Sequence, residues 1–337
     1  MSRDVPMDRS ALQGSVASTT RPAGTGDLHL RTGLRAGDLA ALSALTRTSG
    51  TAVLGPGLLQ DLVEAGRDED TVVIVAERDD VPLGFVHLDI PWHAAEGWLV
   101  SGAVDPECRR QGVGTALLDA AVQMARERGV PVLRISGRPH GYAAPGVDPE
   151  GDPATAAFLV SHGARPAGSA LAMHRTLHDL DRAVPTAIDV GPCEPGERDV
   201  LHELVLEHLA ADWAETLRAF VQRGGPPERI LVARDASQEL LGFACWGVVG
   251  RDPSRFGPFG VAPWARGHGA GGALLDAALL RMAGEGLAHA WFQWTGRDSP
   301  AHRLYTSRGF VPLRTFTPYT LPTGHVDVDR SQEGIAR

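Results

Sequence analysis

The stretch Arg109-Arg-Gln-Gly-Val-Gly-Thr-Ala-Leu-Leu-Asp-Ala-Ala121 returns, little changed, as Arg266-Gly-His-Gly-Ala-Gly-Gly-Ala-Leu-Leu-Asp-Ala-Ala278. The two copies lie 157 positions apart and share Arg-x-x-Gly-x-Gly followed by Ala-Leu-Leu-Asp-Ala-Ala. Each follows an apolar run that ends near a proline, and proline cannot donate to a strand ladder. The pattern predicts, twice, a strand, a glycine turn and then a helix.

Further matches show that the repeat is as long as a domain. Leu83-Gly-Phe recurs as Leu241-Gly-Phe, and Ser161-His-Gly aligns with Ser307-Arg-Gly. A length of 337 residues suits two such units. The first unit is longer than the second, because a loop over 137–153 that is rich in proline and glycine precedes its Ser161-His-Gly segment.

The expected division of the chain follows from this repeat. We predict a disordered tail over 1–27, a first unit over 28–180, a second unit over 181–322 and a loose tail over 323–337. The order of elements predicts an α/β fold, in which each unit is a mainly antiparallel sheet flanked by helices. In detail, the pattern predicts a hairpin of strands 71–78 and 82–90, one helical stretch over 198–222 and a closing strand over 310–320.

The glycine turn is suited to a pyrophosphate. The first backbone N–H groups of a helix have no partner within the helix, and the helix dipole adds positive charge there. Glycine lets the backbone approach phosphate oxygens, and arginine adds charge-assisted hydrogen bonds. The residues expected to hold the cofactor are Val104, Arg109, Arg110, Gln111, Gly112, Val113 and Gly114 in the first unit, and Val261, Arg266, Gly267, His268, Gly269, Ala270 and Gly271 in the second.

A dinucleotide-binding fingerprint is the main rival interpretation. Gly267-x-Gly269-x-x-Gly272 matches it in form. That fingerprint follows the first strand of its domain and needs an acidic residue about 20 positions later. Here the turn follows the fourth strand, and 289–296 contains no acidic residue. We therefore exclude it.

With these motifs, the chain resembles the GNAT superfamily of N-acetyltransferases, some members of which carry two such domains in tandem. The acyl-CoA motif of that family is Arg/Gln-x-x-Gly-x-Gly/Ala, and both units match it. The resemblance implies acetyl-CoA as acyl donor, a backbone N–H near Val261 that stabilises the oxyanion, and Tyr305 as the proton donor to the leaving thiolate. Leu159 stands at the tyrosine position of the first unit and cannot donate a proton. We therefore expect one catalytic unit, the second, and a degenerate first unit.

The acceptor side is less specific. If the first two helices of the second unit form the acceptor wall, Asp212 can hold a cationic amine and Trp213 can cover it, whereas Trp246 lies on a predicted strand. Each of these also has an ordinary structural role, as a solvated charge or a packed aromatic ring. The proton acceptor stays open between Asp252, a chain of waters and an amine that arrives already neutral.

Composition excludes several classes. A net charge of −9 argues against nucleic acid and mildly favours a cationic small molecule. The three cysteines form no CxxC pair and the thirteen histidines show no ligand spacing, so we expect no disulfide and no metal. The cysteine usage fits a reducing cytoplasm, and no apolar run is long enough to cross a membrane. A monomer or homodimer is expected.

The sequence thus predicts an acetyl-CoA-dependent N-acetyltransferase that acts on a small-molecule amine. Two alternatives remain. One is a module that binds acyl-CoA without turnover, and the other is an acetyltransferase for a peptide or protein amine.

Overall fold

The computed structural model describes residues 27–48, 59, 69–136, 144–178, 180, 188–250 and 252–324. Most of each predicted tail lies outside the described residues. So do the start of the 137–153 loop, most of the linker near 180 and, apart from Leu59, a helical stretch that the sequence pattern predicts over 57–65.

The first unit alternates strands and helices in the predicted order. Its elements are β1 His29–Thr32, α1 Asp38–Thr48, β2 Thr71–Arg78, β3 Val81–Asp89, β4 Gly97–Val104, α2 Val113–Glu127, β5 Val132–Ile135, α3 Pro153–Ser161, β6 Arg165–Pro166 and β7 Ala170–Thr176. Asp79 and Asp80 both have positive φ, of 51° and 58°, and join β2 to β3. Two positive φ values are what a tight hairpin turn of the favoured hand requires, and aspartate tolerates them.

The second unit repeats this order. Its elements are β8 Asp189–Pro192, α4 Arg198–His208, α5 Ala211–Gln222, β9 Ile230–Arg234, β10 Leu240–Trp246, β11 Phe256–Val261, α6 Ala270–Gly284, β12 His289–Thr295, α7 Pro300–Ser307, β13 Val311–Phe316 and β14 Tyr319–Pro322.

Two of the predicted elements are each divided in the structure. The helical stretch over 198–222 is interrupted at Leu209 and Ala210, and Ala210 is extended with φ −157° and ψ 128°. The strand predicted over 310–320 breaks between β13 and β14, next to Pro318. Proline removes a backbone donor and restricts the residue before it, which ends the ladder there.

The closing strands cross between the two units. β7, from the first unit, pairs with β12 and β13 of the second, and β14 of the second unit pairs with β5 and β6 of the first. Each sheet is therefore completed by a strand from the other half of the chain. The division at residue 180 describes the repeat in the sequence, whereas the hydrogen-bonded sheets extend across it.

Helices cover both faces of these sheets. α2 packs on the first sheet through Val113, Leu117, Leu118 and Ala121. In the second unit α6 covers one face, while α4 and α5 cover the other. Within the described residues no helix is both long and apolar enough to cross a bilayer. All three cysteines are buried and free.

Candidate acyl-transfer site

Both glycine turns have the same backbone geometry. Gly112 and Gly269 are the N-caps of α2 and α6, with φ 84° and 92°, and neither helix start has a side-chain cap. This left-handed conformation is costly for residues other than glycine. The uncapped N–H groups remain available to an external acceptor, so each turn fits a pyrophosphate.

The strand before each turn separates from its parallel neighbour. β4 pairs with β5 only from Gly97–Leu133 to Leu99–Ile135. In the second unit, the pairing of β11 with β12 among the described residues is a single bridge, Arg255 with Trp291. The β3–β4 and β10–β11 pairings each contain a register shift that leaves one extra residue in β4 and in β11. Such a bulge bends β4 away from β5 and β11 away from β12.

A cavity fills each of these openings. The first has a volume of about 700 Å³ and contacts Val104, Arg109, Arg110, Gly112 and Gly114. The second has a volume of about 940 Å³ and contacts Val261, Arg266, Gly267 and Gly271. Each cavity thus begins at its glycine turn and follows the separated strands.

The remaining predicted cofactor residues lie beside the cavities. Gln111 Nε2 donates to the carbonyl of Glu107, and Val113 is buried in the core. His268 and Gly269 are exposed, Ala270 is buried, and none of the three lines the second cavity. Arg266 Nε donates to the Val261 carbonyl at 3.2 Å, so the arginine side chain folds back along the mouth of the cavity.

The second cavity passes from one face of the sheet to the other. Leu304 and Tyr305 of α7 line it on the α6 side, whereas Leu209 and Trp213, beside and on α5, line it on the opposite side. Because β11 and β12 part at this point, the two faces are continuous. The cavity can therefore hold a thioester and a second reactant on opposite faces of the sheet.

Tyr305 lines the α6 side of the second cavity within an aromatic cluster. Its ring packs against Phe256, Phe259, Phe292 and Phe310, and the centroid of Phe292 lies 4.3 Å away. Burial raises the pKa of the Tyr305 phenol above its usual range, so the hydroxyl keeps its proton at neutral pH. Among the described residues, no side chain or backbone group forms a hydrogen bond with this hydroxyl. It is free to donate to a ligand.

The first cavity has an apolar side chain at the same place. Leu159 of α3 is buried and lines the cavity, as the alignment with Tyr305 predicts. α3 and α7 both begin after a side-chain cap, Asp152 and Ser299, followed by a proline. The two helices are thus built alike and differ at the position that carries the hydroxyl.

The predicted acceptor residues separate in the structure. Trp213 lines the second cavity, and its ring meets Phe243 edge to face at 6.2 Å. Asp212 is buried but does not line the cavity. Trp246 is also displaced from the cavity, because it is 1% exposed and its indole N–H donates to Glu285 at 3.2 Å. The structure therefore places Trp246 in the core, away from the second cavity.

Asp252 is held by its neighbours. Its carboxylate accepts from the N–H and hydroxyl of Ser254 and from the Trp291 indole, at 2.7–2.9 Å. These bonds make it a positioning group for the start of β11.

Arg255 is a cavity residue that the sequence does not predict. It is 6% exposed, lines the cavity and donates to Gln293 at 3.0 Å. Arg255 lies just before the short strand β11, where the sequence shows no alternating pattern, so only the structure shows it to be buried.

The described residues contain no cluster of side chains suited to binding a metal ion. Within the residues described, no group of three or more histidine, cysteine, aspartate or glutamate side chains is placed to hold a metal ion.

Two separated strand pairs, each with an uncapped glycine turn, define an acyl-CoA N-acyltransferase fold present twice. The acetyltransferase (GNAT) family model matches residues 40–144, and an acetyltransferase (GNAT) domain model matches 226–312. The chain belongs to the GNAT family of acetyltransferases, with two of its domains in tandem.

Several relatives match along most of the chain. The mycothiol acetyltransferase of Thermomonospora curvata is 32% identical over 302 residues, which cover 85% of this chain and 93% of the relative. That of Actinosynnema mirum is 29% identical over 259 residues, covering 74% and 83%.

Solved structures agree on the fold. A tandem GNAT protein from the clavulanic acid biosynthesis pathway superposes with a TM-score of 0.69 at 19% identity, over 89% of this chain and all of that one. A GCN5-related glucosamine N-acetyltransferase region of a fungal multi-domain protein has a TM-score of 0.73 at 19% identity. The match covers 88% of this chain and 38% of that much longer one.

Proposed function

We propose that the protein transfers an acetyl group from acetyl-CoA to the amine of a small molecule, and that the second unit carries out the reaction. The observation that carries this proposal is the position of the Tyr305 hydroxyl. It belongs to a cavity that starts at the Arg266–Gly271 turn and continues to Trp213 on the other face of the sheet.

The reaction uses these groups in sequence. The pyrophosphate binds at the turn, and the pantetheine arm enters between β11 and β12 in place of the missing strand pairing. The neutral amine attacks the thioester carbonyl carbon, whose oxygen is stabilised by a backbone N–H near Val261. The C–S bond then breaks, and Tyr305 gives its proton to the sulfur. The amine proton leaves to solvent, because Asp252 does not line the cavity, and Tyr305 regains a proton from solvent.

The acceptor class is inferred from the relatives. Curated relatives at 29–32% identity carry the name mycothiol acetyltransferase, which supports a small-molecule amine as acceptor. The amine that those enzymes acetylate is therefore the first compound to test, followed by a panel of cationic amines that the net charge of −9 favours.

The decisive experiment follows thiol release from acetyl-CoA. Tyr305→Phe should lower kcat by roughly 10²–10⁴-fold, the range for general acid catalysis, while CoA still binds. Tyr319→Phe is the matched control, because Tyr319 is similarly buried but lies on β14 away from the second cavity. Unchanged turnover in Tyr305→Phe would reject the assignment. Binding of acetyl-CoA without transfer to any amine would instead favour the non-catalytic alternative.

A further inference from the structure

The two units differ systematically around the inner end of the cavity. Strand registers fix the equivalence, because Gly84 pairs with Val104 as Gly242 pairs with Val261. The bridges Trp98–Arg134 and Arg255–Trp291 also correspond. On this alignment, five aromatic residues of the second unit replace smaller ones of the first: Phe256 for Leu99, Phe259 for Gly102, Phe292 for Ile135, Tyr305 for Leu159 and Phe310 for Ala164.

In the second unit these five rings form one cluster. Their centroids lie 4.3–6.5 Å apart, the range for favourable aromatic packing. The cluster closes the space between the separated strands and α6. Ala244, Leu274 and Leu275 lie behind it in the core, and none of them lines the second cavity.

In the first unit this space is part of the cavity. With no aromatic cluster, the cavity extends from the glycine turn into the apolar core between β3, β4 and α2. The side chains it meets there are Val86, Leu99, Leu117, Leu118, Ile135 and Leu159. Val86, Leu117 and Leu118 are the counterparts of Ala244, Leu274 and Leu275. We call this extension the inner chamber.

We propose that the first unit binds an acyl-CoA whose acyl chain is longer than acetyl, with the chain in the inner chamber. This rests on the proposed binding of CoA by the glycine turns. A flexible hydrocarbon chain leaves water when it enters a space lined by aliphatic side chains, which favours binding in proportion to the buried apolar area. Leu159 brings no hydroxyl into the chamber, so an acyl chain that enters there deprives no hydroxyl at that position of its partner. In the second unit the rings fill the corresponding space, so an acyl chain has no apolar chamber between β10 and α6 to enter.

The first experiment isolates the first site in the full-length chain. Gly271→Glu places a carboxylate at the second turn, and loss of acetyl transfer shows that this site is blocked. Titration of this variant with CoA, acetyl-CoA and octanoyl-CoA should show octanoyl-CoA binding at least ~10-fold tighter than acetyl-CoA, because several additional methylene groups are buried. Equal affinities for the two, or no binding of any of the three, would overturn the proposal. Acetyl transfer by the unaltered chain is measured separately, so neither result bears on the proposed function of the second unit.

A second experiment exchanges one side chain between the units. Ile135→Phe, in the Gly271→Glu background, introduces the ring of the second unit and should remove the preference for octanoyl-CoA. Retained binding of CoA shows that this variant is folded. The reciprocal Phe292→Ile change, in the otherwise unaltered chain, should let octanoyl-CoA inhibit acetyl transfer by the second site. A preference for octanoyl-CoA that persists in Ile135→Phe would place the chain outside the inner chamber and overturn the proposal.

Discussion

Arg234, the last residue of β9, donates two hydrogen bonds of 2.6 Å to the carboxylate of Glu197, the residue before α4. The Arg234 side chain is 7% exposed and that of Glu197 is 23% exposed. This pair joins the sheet of the second unit to the helix pair that borders the acceptor side of the cavity. It is a partly buried bidentate pair, a geometry that is stronger than an exposed ion pair.

The first prediction concerns acid stability. The hydrogen bond from Arg234 lowers the pKa of Glu197 below its usual value. A lowered pKa in the folded state stabilises the protein at pH values above the unfolded pKa, and this contribution is lost as the pH falls through the folded pKa. Glu197→Gln should therefore reduce the free energy of unfolding at pH 7 by about 1–3 kcal/mol and have less effect near pH 3. Denaturant unfolding at both pH values measures this difference.

The control for that prediction is Glu228→Gln, an exposed glutamate between α5 and β9. It should change the unfolding free energy by less than about 0.5 kcal/mol at either pH. An equal loss at pH 7 and pH 3 in Glu197→Gln would show that the ion pair does not cause the effect.

The second prediction concerns the pH dependence of turnover. In the proposed mechanism Tyr305 acts as an acid, so it must be protonated, and burial raises the pKa of its phenol. The rate should rise with pH as the amine loses its proton, and should not fall near pH 10, where an ordinary tyrosine ionises. A pH profile of kcat in the unaltered chain measures this. A decrease below pH 10 that is absent in Tyr305→Phe would contradict the raised pKa.

The glycine turns and the order of elements follow from the sequence because they depend on local chemistry. Gly112 and Gly269 adopt positive φ at a helix start, and the two-aspartate turn at Asp79 closes a hairpin. Such features depend on a few neighbouring residues. The repeat adds a second, independent copy of each, which makes the prediction of the fold secure.

The exchange of strands between the two units and the residues that line the acceptor side cannot be predicted from local sequence. The sequence predicts a closing strand over 310–320, but the pairing of β14 and β7 with strands far away in sequence leaves no local pattern. Trp246 and Trp213 are both aromatic residues of the second unit, yet one is bonded to Glu285 in the core and the other lines the cavity. Which side of a packed element faces a cavity is decided by long-range packing, so the sequence leaves it open.

The third prediction tests the acceptor side. Trp213 lines the cavity on the face opposite Tyr305. Its ring packs closely on β11 at Gly260, where an added Cβ would lie 3.2 Å from the ring. Trp213→Ala should raise KM for the amine by roughly 10-fold, because a large apolar contact is lost, with little change in binding of CoA. Trp264→Ala is the matched control, since Trp264 is exposed and does not line the cavity. An equal effect of both changes would mean that Trp213 has no specific role in acceptor binding.

The fourth prediction concerns the junction between the two units. Val147, which lines the first cavity, exchanges two backbone hydrogen bonds with Thr317, which lies between β13 and β14. Gly146 precedes it, and a Cβ at that position would lie well inside 3.0 Å of the Thr317 carbonyl. The carbonyl oxygen and carbon of Thr317 belong to the backbone, so a change of side-chain rotamer does not relieve the clash. Gly146→Ala should therefore lower the free energy of unfolding by about 1–3 kcal/mol.

Gly196→Ala provides the comparison for this change, because a Cβ there meets nothing within 4 Å and the residue lies outside both cavities. Its effect on unfolding should stay within about 0.5 kcal/mol. Gly146→Ala should also weaken binding of CoA at the first site, measured in the Gly271→Glu background, because Gly146 and Val147 form part of that cavity wall. Acetyl transfer, measured in the single Gly146→Ala variant below its unfolding temperature, should persist. An unchanged free energy of unfolding together with loss of acetyl transfer in Gly146→Ala would contradict this prediction. The Val147–Thr317 junction would then act on the second site, because Thr317 follows Tyr305 and β13 in the same unit.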